Sequence, residues 1–152
     1  MDALKLAREQ TVRDHMRMEN EGDWDGVLAT FAWPRYEFQV PFPGVNGPQT
    51  VFDGRQEVLS YHGAARAAFP DLGNEIIYLT VGDDNIAFVE MYLIGTHLGE
   101  LKTPLGNIPA TGKRIKVRMS AVFEFAPGSE KIISERPYTD PRAILVQLGA
   151  FG

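Results

Sequence analysis

Helical and β patterns are segregated along this sequence. Helical periodicity occupies most of residues 2–70, whereas β-branched and aromatic runs separated by turn signals occupy the remainder. Helices followed by strands indicate an α+β fold, an antiparallel sheet with helices packed on one face. Because a strongly twisted sheet with helices across its concave side encloses a cone, we expect a cone-shaped α+β barrel with three N-terminal helices over that face. Such a cone is a natural pocket.

Three helices are predicted in the first part of the chain. Residues 2–21 form an amphipathic pattern that ends at a Glu-Gly-Asp break. Asp23 is a suitable N-cap for a short second helix, which Pro34 stops. The third helix opens at Asp53-Gly54 and ends at Pro70.

Five strands are predicted. The first covers residues 36–40 and is ended by a Pro/Gly cluster. The others follow the third helix, at residues 75–81, 86–96, 114–125 and 131–138. Clusters of Gly, Pro, Asn and Asp mark the connections at residues 82–85, 99–112 and 127–128.

Composition restricts the class of protein and its partners. At 152 residues the chain is expected to form one domain, residues 1–152. Its net charge of −5 argues against nucleic acid, which binds basic surfaces. The absence of cysteine excludes disulfides, thiolate metal sites and cysteine nucleophiles. The N-terminal segment is too charged for a secretory signal, and no apolar run approaches the roughly 20 residues of a membrane span, so we expect a cytoplasmic protein.

An acid and an imidazole lie on the face of the first helix that should be buried. At about 100° per residue, His15 and Glu19 share the apolar stripe of Leu4 and Val12. Polar side chains on the opposite face of the helix would be hydrated, so the burial of these two needs an explanation. The two side chains therefore either satisfy each other inside a packed core or line a cavity.

Five segments carry a resemblance to a known family. They read HMRMENEGD at residues 15–23, GTHLG at 95–99, PATGKR at 109–114, ERPYTD at 135–140 and LVQLG at 145–149. On these residues the chain resembles the SnoaL-like polyketide cyclases of the nuclear transport factor 2-like, ketosteroid isomerase-like superfamily. This fold hosts isomerases, cyclases, dehydratases, lyases and binding-only members, so the resemblance does not specify one reaction.

The resemblance places histidines where ketosteroid isomerases carry tyrosines. His15 stands at the position of the oxyanion tyrosine on the first helix, and His62 stands at the position of a second tyrosine bonded to it. The isomerase general base is replaced by Val40, and the oxyanion aspartate falls near Ala121. The resemblance therefore implies a retained cavity without steroid isomerase chemistry.

Asp140 matches the acid/base aspartate that SnoaL-like cyclases carry after the last strand. The partner histidine of those cyclases has no counterpart in residues 117–126, so His15, His62 and His97 would have to supply its function. Asp140 is equally suited to cap the helical turn that follows it, and the two interpretations are not exclusive.

His15, Glu19 and His62 form the strongest candidate constellation. A carboxylate beside an imidazole raises the imidazole pKa and fixes its tautomer, which provides an acid or base near neutral pH. The alternative is a buried structural triad. Given the cavity that the resemblance implies at these positions, we favour a pocket.

Glu135 and His97 have less specific surroundings. Glu135 is either an acid in the cavity or a surface partner of Arg118 or Arg136, and we expect the surface pair. His97 either lines the pocket rim or bonds a loop carbonyl, and we expect the second.

An apolar lining suits a planar substrate. The residues expected to contact substrate are Trp33, Tyr36, Phe38, Tyr61, Met91, His97, Met119 and Glu135, with Phe123 completing the lining. Several of these must instead form ordinary core. No HxH, HxxxH or HExxH spacing, Gly-rich phosphate loop or G-x-S-x-G elbow occurs, so we expect no metal, no cofactor and no serine hydrolase chemistry.

Together these features predict a cofactor-independent acid/base enzyme for a small, aromatic or polyketide-like molecule. Proton abstraction beside a carbonyl would lead to aldol-type cyclisation, isomerisation or retro-aldol-like cleavage. In this scheme Asp140 or the His15–Glu19 pair is the base, and His62 and Tyr36 donate hydrogen bonds. The alternative is a non-catalytic ligand-binding or protein-assembly module whose cone is filled by side chains.

We also expect a homodimer or a higher homo-oligomer. Phe88, Tyr92 and Val122 alternate with the pocket-facing residues of their strands and are too apolar to be left to water. Family members commonly pair through this open face of the sheet.

Overall fold

The computed structural model describes residues 2–150. Its elements, in chain order, are α1 (Ala3–Glu21), α2 (Trp24–Ala29), β1 (Arg35–Phe38), β2 (Thr50–Asp53), α3 (Arg55–Ala68), β3 (Gly73–Val81), β4 (Ile86–Thr96), β5 (Leu101–Thr103), β6 (Gly106–Ile108), β7 (Arg114–Phe125), β8 (Ile132–Tyr138) and α4 (Pro141–Gln147). None of these helices has the length and apolar character needed to cross a bilayer.

Local sequence signals set the ends of the first two helices. The Asp2 carboxylate accepts a hydrogen bond from the Lys5 amide at 2.8 Å and caps α1. Gly22 ends α1 with a φ of 71°, a conformation that favours glycine. Asp23 then caps α2 by accepting from the Gly26 amide at 3.0 Å. This tight turn lets α2 pack against α1 and brings Thr30, at the end of α2, beside the middle of α1.

Six strands form one curved sheet in the order β2-β1-β8-β7-β4-β3, and β5 and β6 form a separate hairpin. The neighbouring strands of the sheet are antiparallel except β1 and β8, which run parallel with Tyr36 opposite Glu135. The expected α+β fold is confirmed, but the sheet is mixed. A parallel pair needs a long connection, and here the elements from β2 to β7 form that connection. Local sequence patterns do not encode a pairing between such distant strands.

The expectation of three N-terminal helices holds only in part. α1 and α2 precede the sheet, but α3 follows β1 and β2, and α4 follows β8. In addition, β2 and the β5–β6 hairpin occupy segments that the sequence presents as connections. Strands of three or four residues are too short to show the alternation by which strands are recognised.

The main core lies between the helices and the inner face of the sheet. Val12 and Met16 of α1, Val27 of α2 and Val58 of α3 pack there against the sheet. The inner face contributes Ala87, Val89 and Met91 of β4 and Ala121, Phe123 and Phe125 of β7. A second, smaller cluster combines Ala68, Phe69, Ile115 and Leu148. The candidate site lies within the main core.

Candidate active site

Five polar side chains from four elements meet inside the main core: His15 and Glu19 of α1, Tyr36 of β1, His62 of α3 and Glu135 of β8. The Nε2 atom of His15 lies 2.9 Å from Glu19 Oε1 and 3.1 Å from Glu135 Oε1. The Tyr36 hydroxyl donates to Glu19 Oε1 at 2.9 Å, and His62 Nε2 lies 3.2 Å from that hydroxyl. We refer to these five residues as the polar cluster.

The elements fix these positions for simple geometric reasons. His15 and Glu19 are four residues apart on α1, so they lie on one face of that helix. Tyr36 and Glu135 are direct partners in the parallel β1–β8 register. His62 projects inward from α3, where its ring stacks on Trp24 with centroids 4.4 Å apart.

The polar cluster opens at its carboxylates. The His15 side chain is fully enclosed, with the Phe31 and Phe123 rings edge-on at 5.4 Å each. In contrast, the Glu19 and Glu135 side chains keep 15% and 7% of their surface exposed. The accessible surface of these three side chains is therefore at the carboxylates and not at the imidazole.

Hydrogen-bond directions on one side of the polar cluster follow from Thr30. A hydroxyl carries one proton, and that of Thr30 is donated to the Val27 carbonyl at 2.6 Å. The Thr30 oxygen must therefore accept from His15 Nδ1, 2.9 Å away. The Nδ1 atom is thus protonated, and Nε2 is the atom that faces the two glutamates.

The directions on the other side follow from Arg66. A guanidinium only donates, so His62 Nδ1, 3.3 Å from Arg66 Nη1, accepts and His62 Nε2 carries the proton. This proton is donated to the Tyr36 oxygen, whose own proton is donated to Glu19. His62 and Tyr36 were expected to donate to substrate, but both protons are committed inside the polar cluster.

The surroundings push the pKa values of the two imidazoles apart. Burial alone would lower the pKa of His15, but the charges and hydrogen bonds of Glu19 and Glu135 outweigh it and raise the pKa to about 10. Burial, with the charges of Arg66 and His15, lowers the pKa of His62 to about 4 despite Glu19. At neutral pH, His15 is therefore an imidazolium and His62 is neutral.

The two glutamates are also distinct. Burial would raise the pKa of Glu19, but the charge and hydrogen bond of His15, with further support from His62 and Tyr36, hold it at about 2. Burial raises the pKa of Glu135 to about 7, and the negative charge of Glu19 adds to this while His15 opposes it. Glu135 therefore exchanges a proton near neutral pH, whereas Glu19 stays ionised.

The placement of Glu135 corrects the sequence-based expectation of a surface ion pair. Arg136 instead pairs with Glu124 at 2.8 Å, and Arg118 donates to the Tyr92 hydroxyl at 3.0 Å. The parallel β1–β8 pairing, which the sequence does not reveal, turns Glu135 toward the interior.

Asp140 lies apart from the polar cluster. Its carboxylate accepts from the Arg142 amide at 2.9 Å and caps α4, as one of the two interpretations of the sequence expects. It also lines the mouth of a cavity of about 470 Å³. The inner wall of this cavity includes Phe38, Met119 and Pro137. Pro137 is the next inward-facing residue after Glu135 on β8, about 7 Å along the strand.

Two of the residues expected to contact substrate lie elsewhere. Trp33 is 59% exposed and donates from its indole to Asp53 at 2.6 Å, because the chain turns outward before β1. His97 is buried against Phe69 near the smaller core cluster, where the Thr111 amide donates to its Nδ1 at 3.2 Å. His97 therefore bonds a loop amide and not a loop carbonyl.

The remaining predicted contacts form the apolar surroundings of the site. Met91 is buried in the main core. Phe38 and Tyr61 pack together with ring centroids 4.9 Å apart, and Phe42 and Phe52 complete this group of rings at 4.8 to 6.1 Å. These four rings are called the aromatic group below.

Sequence reasoning missed three residues that contact the polar cluster. Thr30 holds His15 and Arg66 holds His62. The Trp24 ring packs against both the Arg66 guanidinium, at 4.5 Å, and the His62 imidazole. The i,i+4 spacing of His62 and Arg66 on a helix is a usable signal for one of these contacts. No sequence signal points to Thr30.

His15, Glu19 and Glu135 are also the one group in residues 2–150 whose potential ligand atoms, all within 4.8 Å of one another, could surround a metal ion. In the observed arrangement His15 Nε2 is at hydrogen-bond distance from both glutamates. The expectation that no metal is used stays a prediction, which metal analysis of the purified protein checks.

A sequence model of the SnoaL-like domain family matches residues 12–134. The chain belongs to the SnoaL-like domain family. The match includes four of the five residues of the polar cluster of this SnoaL-like domain. The fifth, Glu135, directly follows the matched segment. No curated protein matches the chain.

Solved structures of the same fold cover nearly all of this SnoaL-like domain. A proposed SnoaL-like polyketide cyclase from Jannaschia sp. CCS1 gives a TM-score of 0.80 at 20% identity, over 100% of this chain and 98% of that one. AclR, a proposed hydroxylase from Streptomyces galilaeus, gives 0.75 at 17% identity, over 97% and 99%. IdmH, a proposed polyketide cyclase from Streptomyces antibioticus, gives 0.73 at 22% identity, over 93% and 98%. At these identities the likeness establishes a shared fold.

Proposed function

We propose that this protein is a cofactor-independent acid/base enzyme that moves protons beside a carbonyl group of a small aromatic or polyketide-like molecule. The observation that carries the proposal is the arrangement of Glu135. This carboxylate has a pKa of about 7, lies against the His15 imidazolium and keeps 7% of its side-chain surface exposed. A group that exchanges protons near the working pH is an effective acid and base.

The proposed reaction begins when ionised Glu135 removes a proton from the carbon next to a carbonyl. The C–H electron pair shifts to form a C=C bond, and the carbonyl electrons move to oxygen, which gives an enolate. In a cyclisation the enolate carbon attacks a second carbonyl of the substrate. Protonated Glu135 then returns its proton to the new alkoxide. In an isomerisation the proton returns to a different carbon, so no external reagent is needed.

The aromatic group favours a flat, apolar substrate. Phe38 belongs to this group and also lines the 470 Å³ cavity, so the rings border the same cavity as Pro137, two residues after Glu135 on β8. The Tyr61 hydroxyl has no hydrogen-bond partner within residues 2–150. In that range the fully enclosed side-chain atoms without a partner are His97 Nε2 and Thr139 Oγ1. The Tyr61 hydroxyl therefore adjoins open space, and we assign it as the donor to the substrate oxygen.

Hydrogen–deuterium exchange tests the proposal without knowledge of the natural substrate. Aryl ketones and aryl β-diketones are incubated with the protein in D2O, and loss of their α-proton signals is followed by NMR. We expect the wild type to accelerate exchange and Glu135→Gln to lower the rate by about 10²- to 10⁴-fold, because glutamine cannot take the proton. Glu124→Gln, which changes a carboxylate on the outer face of the sheet, is the matched control.

Two outcomes oppose the proposal. Full exchange activity in Glu135→Gln would remove Glu135 from the chemistry. Tight binding of these ketones without any exchange would favour the non-catalytic ligand-binding alternative.

The remaining expectations from the sequence are part of the same proposal. We propose that residues 1–152 act as a single domain in the cytoplasm and assemble through the outer face of the sheet. Ile77 and Tyr78 of β3 are large apolar side chains exposed on the strand at its edge, which supports an assembly surface there.

A further inference from the structure

Among residues 2–150, Thr30 is the one side chain that hydrogen-bonds His15 from outside the polar cluster. Its oxygen lies 2.9 Å from His15 Nδ1, and both side chains are buried. The Thr30 amide and hydroxyl both donate to the Val27 carbonyl, at 3.1 and 2.6 Å. This end of α2 therefore holds the hydroxyl in one orientation, with its lone pairs toward the imidazole.

Every other polar group near His15 lies on its Nε2 side. Glu19, Glu135 and the Tyr36 hydroxyl lie 2.9, 3.1 and 3.3 Å from Nε2. His62 contacts the Tyr36 hydroxyl, and Arg66 donates to the backbone carbonyl of Glu19. Tyr36 and Glu19 therefore separate these two side chains from His15. The flanks of the ring are the apolar Phe31 and Phe123. Without Thr30, nothing within residues 2–150 would accept the Nδ1 proton.

We propose that Thr30 is a positioning residue for the acid/base chemistry, which holds the Nδ1 proton of His15 and thereby directs Nε2 at Glu19 and Glu135. Thr30 does not touch substrate and acts through His15. The inference rests on the proposed function, since the imidazole that Thr30 holds is the group that faces the proposed base, Glu135.

Loss of the hydroxyl has a defined consequence. A buried N–H without an acceptor destabilises the imidazolium, so His15 holds its proton less tightly. Because the pKa of His15 is about 10, the imidazolium persists at the neutral pH where Glu135 titrates. The effect therefore appears in the titration of His15 itself, which moves to lower pH.

The test compares Thr30→Val with Thr30→Ser. Valine has nearly the shape of threonine without the hydroxyl, and Val27 keeps the backbone amide of residue 30 as a partner. Serine restores the acceptor. The protonation of His15 is read from ¹H–¹⁵N spectra of its ring, and that of Glu135 from ¹³C spectra of its carboxyl carbon across pH. Neither readout requires turnover.

We expect Thr30→Val to lower the titration point of His15 by about one pH unit. Thr30→Ser should titrate as the wild type. Thr30→Ala, which removes the hydroxyl without a methyl group against Nδ1, gives the same readouts and should shift in the same direction. The upper limit of the pH profile of α-proton exchange should move down with the titration of His15.

Wild-type titration of His15 in both Thr30→Val and Thr30→Ala would overturn the inference. So would a shift in Thr30→Ser as large as that in Thr30→Val, because this would show that packing and not the hydroxyl is responsible. A shifted titration in a protein that exchanges no α-protons would leave Thr30 holding His15 and reject the proposed function instead.

Discussion

At the scale of single residues, the neighbours of Glu19 and Glu135 give these two identical side chains different pKa values. Glu19 receives hydrogen bonds from both Tyr36 and His15, whereas the Glu135 carboxylate has the shared His15 nitrogen as its one hydrogen-bond donor within residues 2–150. More donors favour the ionised form. The glutamate with fewer donors is the one left to bind and release a proton.

This division predicts the pH dependence of α-proton exchange. Because Glu135 acts as a base only when ionised, and its pKa is raised to about 7, the rate should rise with pH through about 7. The rate should then stay level until His15, with a pKa raised to about 10, loses its proton. Initial rates between pH 5 and 10.5 measure both limits.

Asp140→Asn is the control for this profile. Asparagine caps a helix about as well as aspartate, so stability should change by less than about 1 kcal/mol. Because Asp140 is not in the polar cluster, the inflection near pH 7 should persist. An inflection that disappears in Asp140→Asn and survives in Glu135→Gln would assign the base to Asp140.

Sequence patterns reach only part of this residue-level detail. Helical periodicity places His15 and Glu19 on the buried face of α1, because a helix repeats over a few residues. Glu135 could not be placed in this way, since its orientation depends on a parallel pairing with a distant strand. Thr30 depends on where α2 ends. The catalytic roles of all these residues stay predictions.

At the scale of elements, the close approach of β4 to α3 explains the GTHLG motif. The amides of Leu98 and Gly99 both donate to the Ala68 carbonyl at 3.1 Å. A Cβ atom at Gly99 would lie 1.9 Å from the Ala67 carbonyl oxygen. Only glycine lets the end of β4 lie this close to the end of α3, which carries His62.

Glycine-to-alanine variants at two positions should therefore have opposite effects. Gly99→Ala should lower the free energy of unfolding by about 1–3 kcal/mol, because the backbones must separate. Gly63→Ala, in an exposed position on α3 with open space around it, should raise it by about 0.5–1 kcal/mol. Urea denaturation measures both values. A Gly99→Ala protein as stable as the wild type would show that this contact is not tight.

The long elements were predictable from the sequence and the short ones were not. α1, α3 and the strands β3, β4, β7 and β8 follow from clear periodicity and turn signals. β2 and the β5–β6 hairpin are stabilised by pairing and not by alternation, so local patterns miss them. The order of strands in the sheet is a long-range property.

At the scale of the whole molecule, the outer face of the sheet is the expected site of self-association. Phe88 and Val122 are paired across β4 and β7 there and remain half-buried. Tyr92 on the same face is partly covered by Lys116, whose ammonium lies 4.5 Å from its ring. The face thus combines apolar and basic side chains.

We predict a homodimer through this face. Sedimentation should give a mass near twice 16.9 kDa at micromolar concentration. Val122→Glu should shift the protein toward the monomer, because it places a charge in the apolar part of the face, and it should not alter the titration of Glu135. A wild type that sediments as a monomer would contradict the prediction.

The contact between His15 and Glu135 joins the first helix to the last strand, and this has a consequence for how the chain matures. During synthesis α1 leaves the ribosome long before β8, so His15 and Glu19 cannot gain Glu135 as a partner until β8 has emerged. Contacts this distant in sequence form slowly, because a long loop must close first. A chain truncated before β8 would lack both the strand between β1 and β7 and the proton-exchanging carboxylate. Completion of the fold and acquisition of the proposed chemistry are therefore a single event.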